Sequence, residues 1–101
     1  MQFEEKLYDK VIQALFKAMD DVNQLLPKKE QLEKSEETVL SGESGKLDSL
    51  GLVNLIVAAE RKIEEDFGLH VPLTNEKVML QSENPFKTVR TLATYIAFLL
   101  E

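Results

Sequence analysis

The chain has no cysteine and no tryptophan, and among its 101 residues only three are proline, four glycine and one histidine. Without cysteine there is no disulfide and no thiolate metal site, and the protein suits a reducing compartment. Scattered Asp and Glu without His or Cys partners give no recognisable metal-ligand spacing, so no metal is expected. Positive charge is also in short supply: 12 Lys and Arg face 18 Asp and Glu, a formal charge of −6. That balance argues against nucleic acid, whose phosphates need clustered cations, and against an anionic membrane surface. It favours basic partners, attracted through a long-range field that salt screens. The opening residues, Met1-Gln2-Phe3-Glu4-Glu5-Lys6, hold no basic segment followed by an apolar run, so no secretory leader is expected. The most apolar stretch, residues 92–100, is too short to span a bilayer. The expectation is one cytoplasmic, monomeric domain over residues 1–101, with 44% hydrophobic residues to fill a modest core.

What is present is helical periodicity. Phe3, Leu7, Val11, Leu15, Met19 and Val22 recur every three or four residues, widened by Ile12, Phe16, Leu25 and Leu26. This predicts an amphipathic helix over residues 3–26, closed by Pro27 with the cations Lys28 and Lys29 at its C-terminal end. Residues 27–47 are polar and carry Ser41-Gly42-Glu43-Ser44-Gly45, a flexible loop by composition. Loops this long are uncommon in compact domains and are usually functional. Some of its apolar residues, Leu32, Val39, Leu40 and Leu47, should pin it to the core.

A second helix is predicted over residues 49–67, with Asp48 as N-cap and Gly68 just past its end. Its buried stripe is expected to hold Leu50, Val53, Ile56, Ala59, Ile63 and Phe67. Residues 69–73 form a connector. Thr74 can cap a short third helix over residues 74–81, with Val78 and Leu80 inward, and Asn84-Pro85 breaks the chain. A last helix begins near Thr88 and turns Val89, Leu92, Ala93, Ile96, Leu99 and Leu100 inward. No convincing strand pattern appears, so the fold class is all-α.

The chemistry concentrates at Leu47-Asp48-Ser49-Leu50, where the polar loop becomes the second helix. Free N–H groups and the positive end of the helix dipole favour an anion there, by ~0.3–1 kcal/mol at a surface site. A serine in that position can be a simple cap or a covalent attachment point. A hydrolase built from Ser49, Asp48 and His70 has little behind it. No Gly-x-Ser-x-Gly elbow and no oxyanion loop can be read, and an Asp adjacent in sequence orients a distant histidine poorly. An enzyme is therefore not expected.

Leu47-Asp48-Ser49-Leu50 resembles the Asp-Ser-Leu signature of acyl carrier proteins, whose serine receives 4′-phosphopantetheine. Val53, Leu55 and Ile56 follow at the spacing of that family's second helix. Phe67-Gly68-Leu69-His70-Val71-Pro72 is similar to its Phe-Gly-Ile-x-Ile-Pro connector. Phe86-Lys87-Thr88-Val89-Arg90-Thr91-Leu92 with Tyr95-Ile96 is similar to the start of its last helix. The resemblance covers residues 44–98, and the first helix by pattern only. It implies a four-helix bundle: three main helices, a short third helix and a long loop between helices one and two. It also implies 4′-phosphopantetheine on Ser49, flanked by Asp48 and Leu50, carrying an acyl group as a thioester for fatty-acid, lipid or polyketide-like biosynthesis. The implied partners are a phosphopantetheinyl transferase, a loading enzyme (an acyltransferase or adenylating ligase) and condensing or acyl-acceptor enzymes. Leu50 and Val53 would seat the helix and flank the arm, while Val53, Asn54, Glu60, Glu64 and Glu65 would form the partner surface.

The chain departs from the family pattern in three ways. Gly51 and Asn54 stand where acidic residues usually meet basic partners. The second helix is longer by about one turn, and its acidic residues, Glu64, Glu65 and Asp66, fall late, after Arg61 and Lys62. The first helix and its loop are also long. These departures suggest a specialised carrier with dedicated enzymes. Two other readings stay open: a peptidyl or aminoacyl carrier, and a helical adaptor that is never modified.

Overall fold

Helical periodicity becomes three helices in the computed structural model, which describes residues 5–41, 47–73 and 85–100. They are α1 (Glu5–Asn23), α2 (Ser49–Phe67) and α3 (Val89–Leu100). Among the described residues there is no β-strand, and no helix is long and apolar enough to cross a membrane. Phe3, the loop over residues 42–46 and the short helix expected over residues 74–81 lie outside the described residues.

α1 buries Val11, Leu15, Met19 and Val22 as its spacing predicts, with Ile12, Ala14 and Ala18 completing the apolar face. It ends at Asn23, three residues before the expected boundary at 26. The cause is Pro27, whose ring disfavours helical geometry in the residue before it. The chain tightens instead, Leu25 N–H donating to Val22 O (2.9 Å) and Leu26 N–H to Asn23 O (3.1 Å). Leu25 is thereby turned outward and is 72% exposed, not part of the core stripe. Lys28 and Lys29 fall in a separate 3-10 turn, Lys28–Glu30, beyond the helix whose end they were expected to cap. The Asn23 side chain closes this turn, donating to Leu32 O (3.0 Å) and accepting from Leu32 N–H (2.7 Å). Leu32 is thereby held in the core.

α2 runs antiparallel to α1. Lys17 pairs with Asp66 (3.4 Å) and Lys62 with Asp21 (3.6 Å), so the C-terminal halves lie side by side. The N-terminus of α2 therefore sits at the end of the molecule where α1 finishes. Leu55, Ile56, Ala58, Ala59 and Ile63 are buried. Gly68 ends the helix in the left-handed region (φ 69°), its N–H donating to Glu64 O at 2.8 Å, as expected for a glycine there.

The segment after α1 is a strap across the start of α3. Leu40 N–H donates to Lys87 O (2.7 Å), Val89 N–H to Thr38 O (3.1 Å) and Arg90 N–H to Glu36 O (3.0 Å), around a single antiparallel bridge between Val39 and Thr88. A helix leaves its first N–H groups unsatisfied, and here the strap carbonyls accept two of them. Thr88 and Thr91 cap reciprocally: Thr91 N–H donates to Thr88 Oγ1 (3.1 Å) and Thr88 N–H to Thr91 Oγ1 (3.0 Å). The flexible loop expected from composition is thus ordered as far as Ser41, because its backbone groups have partners and Leu40 is fully buried. Leu47 is buried too, so the loop is pinned at three of its four apolar residues. In α3 the buried residues are Val89, Leu92, Ala93, Ile96 and Ala97, while Leu99 is 37% exposed and does not join the stripe.

Near the start of α1, Tyr8 donates its hydroxyl to Glu36, and Arg90 pairs with Glu36 (4.0 Å) and with Glu37. Burial, reinforced by the Glu36 carboxylate, pushes the Tyr8 hydroxyl from 10.0 up to about 12. A folded-state value above the unfolded one means that the neutral phenol stabilises the fold below pH 10 and that this contribution is lost as pH rises toward 12. The melting temperature should therefore fall between pH 10 and 12, and Tyr8→Phe should flatten that part of the profile. An unchanged slope in the variant would assign the alkaline loss to other groups.

Candidate functional site around the start of α2

Asp48 precedes α2 with extended backbone (φ −79°, ψ −176°), and its carboxylate accepts the Gly51 N–H at 2.7 Å. Its carbonyl accepts Leu52 N–H at 2.9 Å. The expected N-cap is formed. Ser49 is the first residue of the helix, next to the cap and separate from it. Gly51 is buried, and a Cβ there would stand 3.1 Å from Leu47 Cδ2 and 3.3 Å from Asp48 Oδ1. Glycine at this point lets the Leu47 side chain and the capping carboxylate close over the first turn. Its cost inside a helix, roughly 0.5–1 kcal/mol relative to alanine, is accepted for that approach. Asp48→Ala should lower stability by ~1 kcal/mol in urea or thermal unfolding; a cost near zero would mean that the cap contributes nothing.

Leu50 and Val53, expected in the core, are 70% and 53% exposed. The correction has a clear cause. Leu50, Leu52, Val53 and the continuous run Leu55-Ile56-Val57-Ala58-Ala59 surround most of the helix, so periodicity alone does not choose the inward face. Tertiary packing turns Leu55, Ile56 and Ala59 inward and leaves Leu50, Val53 and Val57 outward. Asn54 is exposed beside them. Val57 and Arg61 are exposed too, and steps of three and four residues from Leu50 lead to both, a spacing readable in the sequence.

The acidic residues of α2 have separate neighbours. Glu60 is half-buried, and its carboxylate accepts the Leu73 N–H at 3.4 Å, tying α2 to the connector. Asp66 faces Lys17 of α1, Glu65 pairs with Lys62 (3.9 Å), and Glu64 lies 4.0 Å from His70. His70 itself is exposed beyond the C-terminal end of α2, whereas Asp48 and Ser49 are at its N-terminal end. Nineteen residues separate the two ends, roughly 28 Å at 1.5 Å per residue, so His70 cannot join Ser49 and Asp48 in a triad. Compared with protein families, with curated proteins and with solved structures, the chain matches none.

Proposed function

We propose that the protein is a non-catalytic acyl carrier, with Ser49 as the attachment point of 4′-phosphopantetheine. The observation that carries this reading is the capped junction: Asp48 satisfies the Gly51 N–H, and Ser49 follows as the first helical residue. The residues present suit the group. A phosphodiester on Ser49 would lie at the positive end of the α2 dipole, and the Asp48 carboxylate beside it is already committed to an N–H. Leu50 and Val53, exposed on the next turn, offer apolar surface to an arm leaving that point.

Within a transferase, Ser49 Oγ attacks the β-phosphorus of coenzyme A. A new P–O bond forms, the phosphoanhydride bond breaks, the adenosine bisphosphate leaves, and the serine proton passes to a base of the transferase. The bound arm supplies a thiol that carries the acyl group as a thioester. In this reading the chain's own residues set the attachment point at a helix start and supply a core of aliphatic side chains. Burial in such a core stabilises an acyl chain by ~0.8 kcal/mol per methylene. The further partners under this proposal are a loading acyltransferase or adenylating ligase and condensing or acceptor enzymes in the cytoplasm. A four-helix acyl-carrier-like bundle is part of the proposal.

The test is intact-mass spectrometry after co-expression with a broad-specificity phosphopantetheinyl transferase. One phosphopantetheine on the peptide containing Ser49 is expected. No added mass, under conditions that modify a control carrier, would leave the adaptor reading in its place.

A further inference from the structure

We infer that Gly51 is a positioning residue for the modification of Ser49. Its missing Cβ lets Leu47 and the Asp48 carboxylate close on the first turn of α2, and that contact sets how the turn presents the serine between them. This rests on the carrier reading of Ser49 and adds a residue that governs the transfer from inside the fold.

A chain uses glycine where the backbone needs a positive φ or where another group must come close. The glycines at the two ends of α2 divide these roles. Gly68 has φ 69° and open space where its Cβ would stand. Gly51 has no positive φ and lies within the helix, where only proline is less favourable. Nothing in the backbone asks for glycine there. Its surroundings do: a Cβ would meet Leu47 Cδ2 at 3.1 Å, Asp48 Oδ1 at 3.3 Å and Leu47 Cβ at 3.5 Å.

Neither neighbour can withdraw freely. Leu47 is part of the buried core, so its δ carbon has packed atoms behind it. The Asp48 carboxylate accepts the N–H of Gly51 itself at 2.7 Å. Retreat from a Cβ on residue 51 therefore lengthens the bond that caps the helix. Leu47 and Asp48 immediately precede Ser49 in the chain, and Gly51 follows it by two residues. A methyl group at position 51 thus displaces the groups next to the serine by a few tenths of an ångström. The position is buried, so the added atom stays off the outer surface of the helix. Group transfer is sensitive to such shifts, since a misplacement of about 1 Å can cost on the order of a hundredfold in rate. A poor helix former kept at a tight contact is the mark of a functional position, where local preference yields to geometry.

The experiment uses the full chain, coenzyme A and a phosphopantetheinyl transferase found to modify the wild type. Intact mass reads kcat and KM, and NMR reads hydrogen exchange at the residue 51 amide. Gly51→Ala should lower kcat about fivefold and leave KM within about twofold, because the outer surface is unchanged. Exchange of the residue 51 amide should become several-fold faster as its bond to Asp48 lengthens. Leu47→Val lacks the δ carbon that the new methyl meets. In that background, adding Gly51→Ala should change kcat by less than about twofold. This rescue separates crowding of the cap from a general loss of fold, because the alanine is present in both proteins. A wild type that is modified while Gly51→Ala keeps its kcat overturns the positioning inference and leaves the carrier reading intact. So does a loss that falls on KM, or one that persists in full beside Leu47→Val. A wild type that no transferase in a broad panel modifies overturns both.

Discussion

Ser49→Ala is expected to abolish the proposed phosphopantetheine attachment completely, with the helical circular dichroism signal and the melting temperature almost unchanged. The separation of the two effects follows from the division of labour at the helix start. Asp48, not Ser49, accepts the N–H that caps α2. Alanine is also the best intrinsic helix former, so nothing in the helical backbone opposes it at the first helical position. The stability change should stay within about 0.5 kcal/mol, the scale of the intrinsic helix preference. The chemistry has no such tolerance, since a methyl group has no oxygen to form the phosphodiester. Intact mass and a thermal melt on the same sample decide the matter. A variant that still gains the arm would move the attachment to another hydroxyl, and one that unfolds would make Ser49 a structural residue.

The largest effect on stability is expected from Leu40→Ala, which should destabilise the fold by about 2–4 kcal/mol, the usual cost of removing a fully buried leucine. Leu40 is 0% exposed, and its backbone N–H is bound to Lys87 O at 2.7 Å. The strap that holds it also accepts the first N–H groups of α3 through Thr38 and Glu36. Emptying the Leu40 site therefore loosens the helix start as well as the core. In a domain of this size 1 kcal/mol corresponds to about 4–8 °C in melting temperature, so a drop well above 10 °C is expected. A change of only a degree or two would mean that residues 36–41 lie outside the cooperative unit.

Much of this architecture was legible in the sequence because it depends on short-range chemistry. Asp48 and Gly68 bracket α2 as their side chains dictate, one by a carboxylate within reach of Gly51 N–H and the other by a backbone free to adopt φ 69°. The stripe of α1 was equally readable, because polar residues separate Val11, Leu15, Met19 and Val22 into a single apolar face. The strap was only half legible. Leu32, Leu40 and Leu47 identify themselves as anchors by being apolar in a polar stretch, but the partners of the backbone groups between them lie some fifty residues away in sequence, at Lys87, Val89 and Arg90.

The amino-acid order alone determines that the chain is helical, where α2 begins and ends, and that Ser49 stands at a helix start beside a capping carboxylate. Those features follow from interactions spanning three or four residues. Which side of α2 faces solvent was decided only by tertiary packing. Apolar residues nearly encircle its first three turns, and the assembled core takes in Leu55, Ile56 and Ala59 while leaving Leu50, Val53 and Val57 outside. The same packing brings Asp66 of α2 to Lys17 of α1, a pairing between residues far apart in the sequence.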